Sequence, residues 1–168
     1  RPQGCQRVPG CGGCRKFFKG FTGSESCSNR IVGWFLWGIP DCNGISKKSE
    51  LFKAGVDLHG VHDWAFRARE FSPGGSWGIG EKDMELAYQS SPVSDLSKWT
   101  APVLFVHGDD DRNVLFQQTI DLAEKLRDKN VDIEILVLPD EVHGFLRYES
   151  WERVFGIAKD FFDRKLKK

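Results

Sequence analysis

Beyond about residue 47 the chain alternates between short apolar runs and longer stretches of helical periodicity. The runs cover residues 52–58, which leads into His59-Gly60, and 102–107 and 133–138, which are bounded by Pro, Gly and Asp. Such nearly continuous apolar segments, enriched in Val, Ile, Leu and Phe, predict strands buried on both faces of a parallel sheet. Between the second and third, residues 114–129 place Phe116, Ile120, Ala123 and Leu126 at helical spacing, which predicts an amphipathic helix. A shorter helix is expected over 83–89, broken by Ser90-Ser91-Pro92. At the end of the chain Trp151, Val154, Phe155, Ala158, Phe161, Phe162 and Leu166 recur on one face. Glu152, Arg153, Lys159, Asp160, Arg164 and Lys165 occupy the other, predicting a terminal helix packed on the sheet. The expected fold class is therefore α/β, a mostly parallel sheet with flanking helices. Strand, loop, helix and strand form a crossover unit, which brings the loops after residues 107 and 138 together at the carboxyl ends of their strands.

Residues 1–46 read differently. Arg1 to Cys14 is dense in Gly, Pro and Cys without periodicity, and the apolar stretch from Gly33 ends in a breaker at Pro40. This segment reads as loop and edge material. It also holds all five cysteines, at positions 5, 11, 14, 27 and 42. Cys11 and Cys14 have the C-x-x-C spacing of zinc and redox sites, but no second pair completes a tetrahedral set. A cysteine-free remainder points to a reducing, cytoplasmic setting without a disulfide framework. The start at Arg1 is read as that of a fragment.

Charge narrows the function. Lys and Arg total 24, Asp and Glu also 24, so the net charge is zero and nothing favours nucleic acid or an anionic membrane. No apolar run approaches the roughly 20 residues of a membrane span. No cofactor is implied, and spacing along the chain offers no metal-ligand cluster.

The two loops of the crossover carry the candidate chemistry. His107-Gly108-Asp109-Asp110-Asp111-Arg112-Asn113 follows one strand, and Pro139-Asp140-Glu141-Val142-His143-Gly144 follows the next. A buried carboxylate beside an imidazole, whose reference pKa is near 6.5, is what a hydrolase uses to take a proton from a nucleophile and return it to a leaving group. Plainer readings exist: Asp109 or Asp110 could cap the helix that begins near Val114, and Asp111 or His143 could be structural. His59 and His62, flanking Gly60, and His107 at a strand end read as structural histidines.

From about Ser49 onward the chain resembles the C-terminal part of the catalytic α/β-hydrolase domain of the prolyl oligopeptidase (S9) family. The resemblance rests on Leu51-Phe52-Lys53-Ala54-Gly55-Val56, the Ser91-Pro92 turn, residues 101–108 with their Asp loop, Phe116-Gln117-Gln118 and the His143-Gly144 loop. It implies a serine peptidase acting on short peptides through an acyl-enzyme. Asp111 would be the triad aspartate, His143 the triad histidine, and Asn113 a contact to the substrate's backbone carbonyl. It also implies an N-terminal β-propeller domain as the missing partner of this segment. Residues 47–168 would then be the C-terminal part of the peptidase domain.

The nucleophile is not where the family requires it. The serine should lie in G-x-S-x-G, on a strand-to-helix turn a little before Ser49. The literal match Gly74-Gly75-Ser76-Trp77-Gly78 follows Ser72-Pro73 and precedes Ile79-Gly80-Glu81, so it lacks a strand before it and a helix after it. It reads as a glycine-rich loop. Codons allowed for Gly33 to Ser46, read one base later, permit Gly-Gly-Ser-Tyr-Gly-Gly-Tyr-Leu-Thr-Ala-Met-Ala-Leu-Ala, joined in frame to Lys47. The unique codons of Trp34 and Trp37 force two of those glycines. The same shift over residues 3–14 permits a helix-forming Lys-Asp-Val-Lys-Glu run. Residues 1–46 are therefore expected to include out-of-frame translation in place of the nucleophile elbow, leaving the chain as written without its serine and inactive. Two alternatives stand beside this reading: an esterase or acyl hydrolase on the same fold, and a non-catalytic hydrolase-like interaction protein.

Overall fold

The computed structural model describes residues 30–34, 45–46, 49, 52–70 and 80–166. Four strands run in sequence order across one sheet: β1 (Arg30–Trp34), β2 (Ala54–Leu58), β3 (Val103–Gly108) and β4 (Ile133–Leu138). All three pairings are parallel, and β3 pairs with β4 over six consecutive residues, from Val103 with Ile133 to Gly108 with Leu138. Parallel neighbours need a crossover between them. Helices α1 (Trp64–Glu70) and α2 (Glu81–Gln89) lie between β2 and β3, and α3 (Gln117–Asp128) joins β3 to β4. The chain closes with α4 (Tyr148–Leu166).

Because side chains alternate across a strand, β3 feeds two cores. Val103 and Phe105 point to one face, where they pack with Leu122, Ala123 and Leu126 of α3, with Trp99, and with Ile45. Leu104 and Val106 point to the other, against Val154, Phe161 and Phe162 of α4. The result is a three-layer sandwich with its central strands buried on both faces, which explains why their sequences are mostly apolar, with Asp57 and His107 as the buried polar exceptions.

The expected strands and the terminal helix are present, and three details differ. First, β1 lies within the segment read as loop. It is formed by pairing with β2 from Arg30 with Ala54 to Trp34 with Leu58, a long-range partner that local pattern does not report. Second, the helix expected over 114–129 begins at Gln117, and its buried face is rotated. Gln118, Thr119 and Leu122 are buried together with Ala123 and Leu126, while Ile120 is only partly covered. The rotation follows hydrogen bonding, since Gln118 and Thr119 are taken up by buried histidines. Third, Phe155 is 48 % exposed, although Val154, Phe161 and Phe162 on the same helix are buried as expected.

Candidate active site

Both loops of the site leave the carboxyl ends of adjacent strands and are locked to each other by backbone contacts. The Asp109 amide donates to Leu138 O (3.3 Å) and the Asp110 amide to Glu141 O (3.2 Å). Asp109 Oδ1 in turn accepts from the Asp140 amide at 2.7 Å. Gly108 sits so near the second loop that a Cβ there would lie 2.1 Å from Glu141 O. Glycine is required at this position because two backbones meet.

The second loop is folded tightly around Glu141. Asp140, Gly144 and Phe145 adopt left-handed φ values of 56°, 97° and 43°. Such conformations persist in non-glycine residues only when their surroundings hold them. Here the buried Glu141 carboxylate accepts from the Leu146 amide (2.8 Å), the Arg147 amide (3.3 Å) and the Ser150 hydroxyl. Burial pushes the Glu141 carboxyl up, but these bonds outweigh it and hold its pKa below the ordinary value. The carboxylate thereby ties the loop to the first turn of α4.

His143 projects from this loop toward Asp111, its Nδ1 2.7 Å from Asp111 Oδ2. Asp111 is buried, whereas the His143 side chain is 15 % exposed. Asp111 Oδ1 accepts from the amides of Asn113 (2.8 Å) and Val114 (2.9 Å). The residue that organises the turn before α3 is therefore Asp111, which bonds His143 with its other oxygen. Asp109 and Asp110, which the plainer reading offered as possible caps, bond Asp140 and Arg112.

His107 completes the setting of the carboxylate. Its Nε2 lies 2.9 Å from Val114 O and 3.2 Å from Asp111 Oδ2, and its Nδ1 2.7 Å from Thr119 Oγ1. Carbonyl and carboxylate only accept, so Nε2 carries the hydrogen and the Thr119 hydroxyl serves Nδ1. Burial pushes the Asp111 carboxyl up, yet the hydrogen bonds from His107, His143 and the Val114 amide prevail and hold it well below the usual carboxylate range. An ionised, fully bonded carboxylate against imidazole Nδ1 fixes the ring's tautomer and stabilises its protonated form.

Asn113 is exposed at the rim, with its amide bonded to Asp111. The histidines flanking Gly60 part company. His62 is wholly structural: Nε2 bonds Asp57 Oδ2 (2.8 Å), Nδ1 bonds Gln118 O (3.0 Å), and its amide donates to Gln118 Oε1 (3.1 Å). His59 stands at the site itself, its ring centroid 4.2 Å from that of His143. Burial pushes its imidazole down to about 4, and the nearby His143 adds to this, while Asp57 and Asp111 oppose it. Sequence reading placed His59 in a loop. Its position follows from the His59 amide, which continues the β2–β3 ladder by donating to Val106 O at 2.8 Å. The fold thus assembles a His59–Asp111–His143 cluster that linear spacing does not display. Ser76 and all five cysteines lie outside the described residues.

A parallel sheet sandwiched by helices, with an aspartate loop and a histidine loop at adjacent strand ends, is the C-terminal portion of an α/β-hydrolase fold. The profile of the prolyl oligopeptidase family matches residues 43–168, and the chain belongs to that family. It is 31% identical over 145 residues to the prolyl endopeptidase FAP of Mus musculus, covering 84% of this chain and 19% of that protein. It is 31% identical over 98 residues to dipeptidyl-peptidase 5 of Porphyromonas endodontalis, covering 56% of this chain and 14% of that one. Among solved structures, the Pyrococcus horikoshii acylaminoacyl peptidase superposes with a TM-score of 0.64 at 27% identity, over 75% of this chain and 22% of that one. The chain thus spans less than a fifth of the length of these curated relatives. Among the described residues no helix is long and apolar enough to cross a membrane.

Proposed function

We propose that this chain is the C-terminal part of a serine peptidase that cleaves short peptides through an acyl-enzyme, with His143 as general base and then acid and Asp111 as its orienting carboxylate. The observation that carries this reading is the 2.7 Å contact between His143 Nδ1 and the buried Asp111 Oδ2. In the proposed cycle His143 Nε2 takes the serine proton as the hydroxyl attacks the peptide carbonyl, then gives it to the departing amine. Water repeats the sequence to release the acid. Asn113, at the rim, is proposed to contact the substrate's backbone carbonyl.

The nucleophile is assigned to the residues that follow β1 in the chain. That strand lies beside β2 and parallel to it. Its carboxyl end therefore faces the same edge of the sheet as the Asp and His loops, which is where a nucleophile elbow has to stand. The one-base-shifted reading puts Gly-Gly-Ser-Tyr-Gly-Gly there, with the serine codon straddling those of Phe35 and Leu36. Residues 1–46 are on this reading an aberrant stretch, and the intact parent carries a propeller domain that limits access to small peptides. A cytoplasmic location is proposed from the cysteine-free remainder.

A second reading, a non-catalytic relative, is favoured by one observation: residues 35–44 contain no serine as written. Sequencing the coding DNA across residues 1–48 decides between them. A missing or extra base that restores the elbow supports the peptidase. An intact frame leaves Asp111 and His143 without a serine partner and favours the second reading. Assay of the restored chain on dipeptidyl and acyl-aminoacyl anilides beside simple esters then separates peptidase from esterase action.

A further inference from the structure

One buried side chain at the site has no bonding role. His59 is 1% exposed, and among the described residues neither of its ring nitrogens has a hydrogen-bond partner. A buried polar group left unsatisfied is destabilising, so its presence calls for an explanation. His62 and His107 are equally buried and use both of their nitrogens. His59 is also held at a left-handed φ of 42°. That backbone state is unfavourable for a residue with a Cβ and aims the ring inward, between His143 and the edge of Phe145.

The direction in which it is aimed is informative. One nitrogen of His59, one of His143 and a carboxylate oxygen of Asp111 lie within 4.8 Å of one another. Two imidazoles and a carboxylate are the ligand set of open, three-coordinate protein sites for zinc, whose fourth position is left to water or substrate. In a tetrahedron with bonds of roughly 2.0–2.2 Å the ligand atoms stand about 3.3–3.6 Å apart. Small side-chain rotations close the remaining gap, and the partly exposed His143 gives a path of entry. Two nitrogen ligands disfavour Ca2+ and Mg2+, which prefer oxygen.

We propose that His59, His143 and Asp111 form a binding site for a divalent transition-metal ion, Zn2+ foremost, beside and overlapping the acid–base pair. An ion held there competes with protons for His143 and occupies the carboxylate that orients it. Its binding therefore silences the pair reversibly. That consequence rests on the peptidase reading; the binding itself does not.

The test is calorimetric titration of Zn2+ into the full chain, stripped with chelator and with its five cysteines alkylated so that sulfur cannot compete. One ion per chain is expected. His59→Asn, which keeps a residue tolerant of the left-handed backbone, and His143→Ala should each weaken binding at least about tenfold. Circular dichroism checks each variant's fold. If His59→Asn does not fold, His143→Ala decides alone. No saturable binding, or an affinity unchanged in the folded variants, overturns the proposal. Zinc binding without peptide hydrolysis in a restored chain keeps the metal site and removes the peptidase reading. Hydrolysis undiminished at saturating Zn2+ removes the metal site.

Discussion

The loops after β3 and β4 and the loop after β2 meet at the same edge of the sheet but are built to opposite standards. In the first pair every ionisable group that is buried is also bonded. Asp111 accepts from two amides and two imidazoles, and Glu141 from two amides and a hydroxyl. In the loop after β2, His62 meets that standard and His59, three residues earlier, does not. The contrast separates two uses of burial. A saturated polar group fixes geometry, whereas an unsatisfied one keeps its bonding capacity in reserve at a cost in stability.

The largest effect that would break this comparison is expected at the saturated end. In a chain with a restored elbow, Asp111→Asn should lower kcat by about 10⁴-fold, because the amide presents a donor to Nδ1 and selects the wrong tautomer. His59→Asn should cost far less under chelator. Peptide hydrolysis rates of the two variants measure the difference, and equal losses would mean that His59 belongs to the acid–base machinery.

Next in size is His62→Ala, which removes one partner of the buried Asp57 carboxylate and the ring's bond to Gln118 O. About 3–5 kcal/mol of stability should be lost in urea unfolding, and a loss under about 1 kcal/mol would show that Asp57 is not held by His62. Gly108→Ala should follow at about 1–3 kcal/mol, since the new methyl meets backbone at Glu141 O and forces the loops apart. Gly60→Ala meets the Asp57 side chain instead, which can move, and should be milder in the same assay.

The last of these effects is a slope rather than a step. The His59 pKa is lowered to about 4 in the fold, against 6.5 for an ordinary imidazole. On acidification the unfolded chain takes up this proton first, so the stabilisation of the folded state is fully present above pH 6.5 and is lost as pH falls from there toward 4. The slope contributed is roughly 1.4 kcal/mol per pH unit. Unfolding free energies measured with chelator across that window should show it in the parent and a shallower line in His59→Asn. Parallel lines would mean that the ring is not buried as described.

The comparison also marks how far the amino-acid order could be read. Asp111 and His143 were legible because each follows an apolar run that can only be an interior strand, and a crossover must bring consecutive strand ends together. His59 was not, because no periodicity reports that the end of β2 continues its ladder onto Val106 and turns a ring toward a residue 84 positions away. β1 was missed because it lies in the segment whose local signals do not agree, and only its pairing with β2 marks it as a strand. Helix α1 went unread because it buries only Ala65 and therefore shows no stripe. The rotation of α3 escaped because hydropathy treats Gln118 and Thr119 as surface, whereas His62 and His107 provide partners that let them be buried.

The six-residue pairing of β3 with β4 also bears on the order in which the molecule assembles. The crossover it closes spans 30 positions, from Val103 to Ile133, against the 48 from Gly55 to Val103, and loop closure is entropically cheaper for nearer segments. The β3–α3–β4 unit is thus expected to form as an early foldon, with Phe105, Leu122 and Leu126 as its seed. Its central amides, such as those of Val106 and His107, should be the slowest to exchange with deuterium, and equally rapid exchange there and in β2 would refute this order. The proposed Asp111–His143 pair would then be set before β2 joins the sheet, and the rest of the sheet's carboxyl edge would form against a finished half-site.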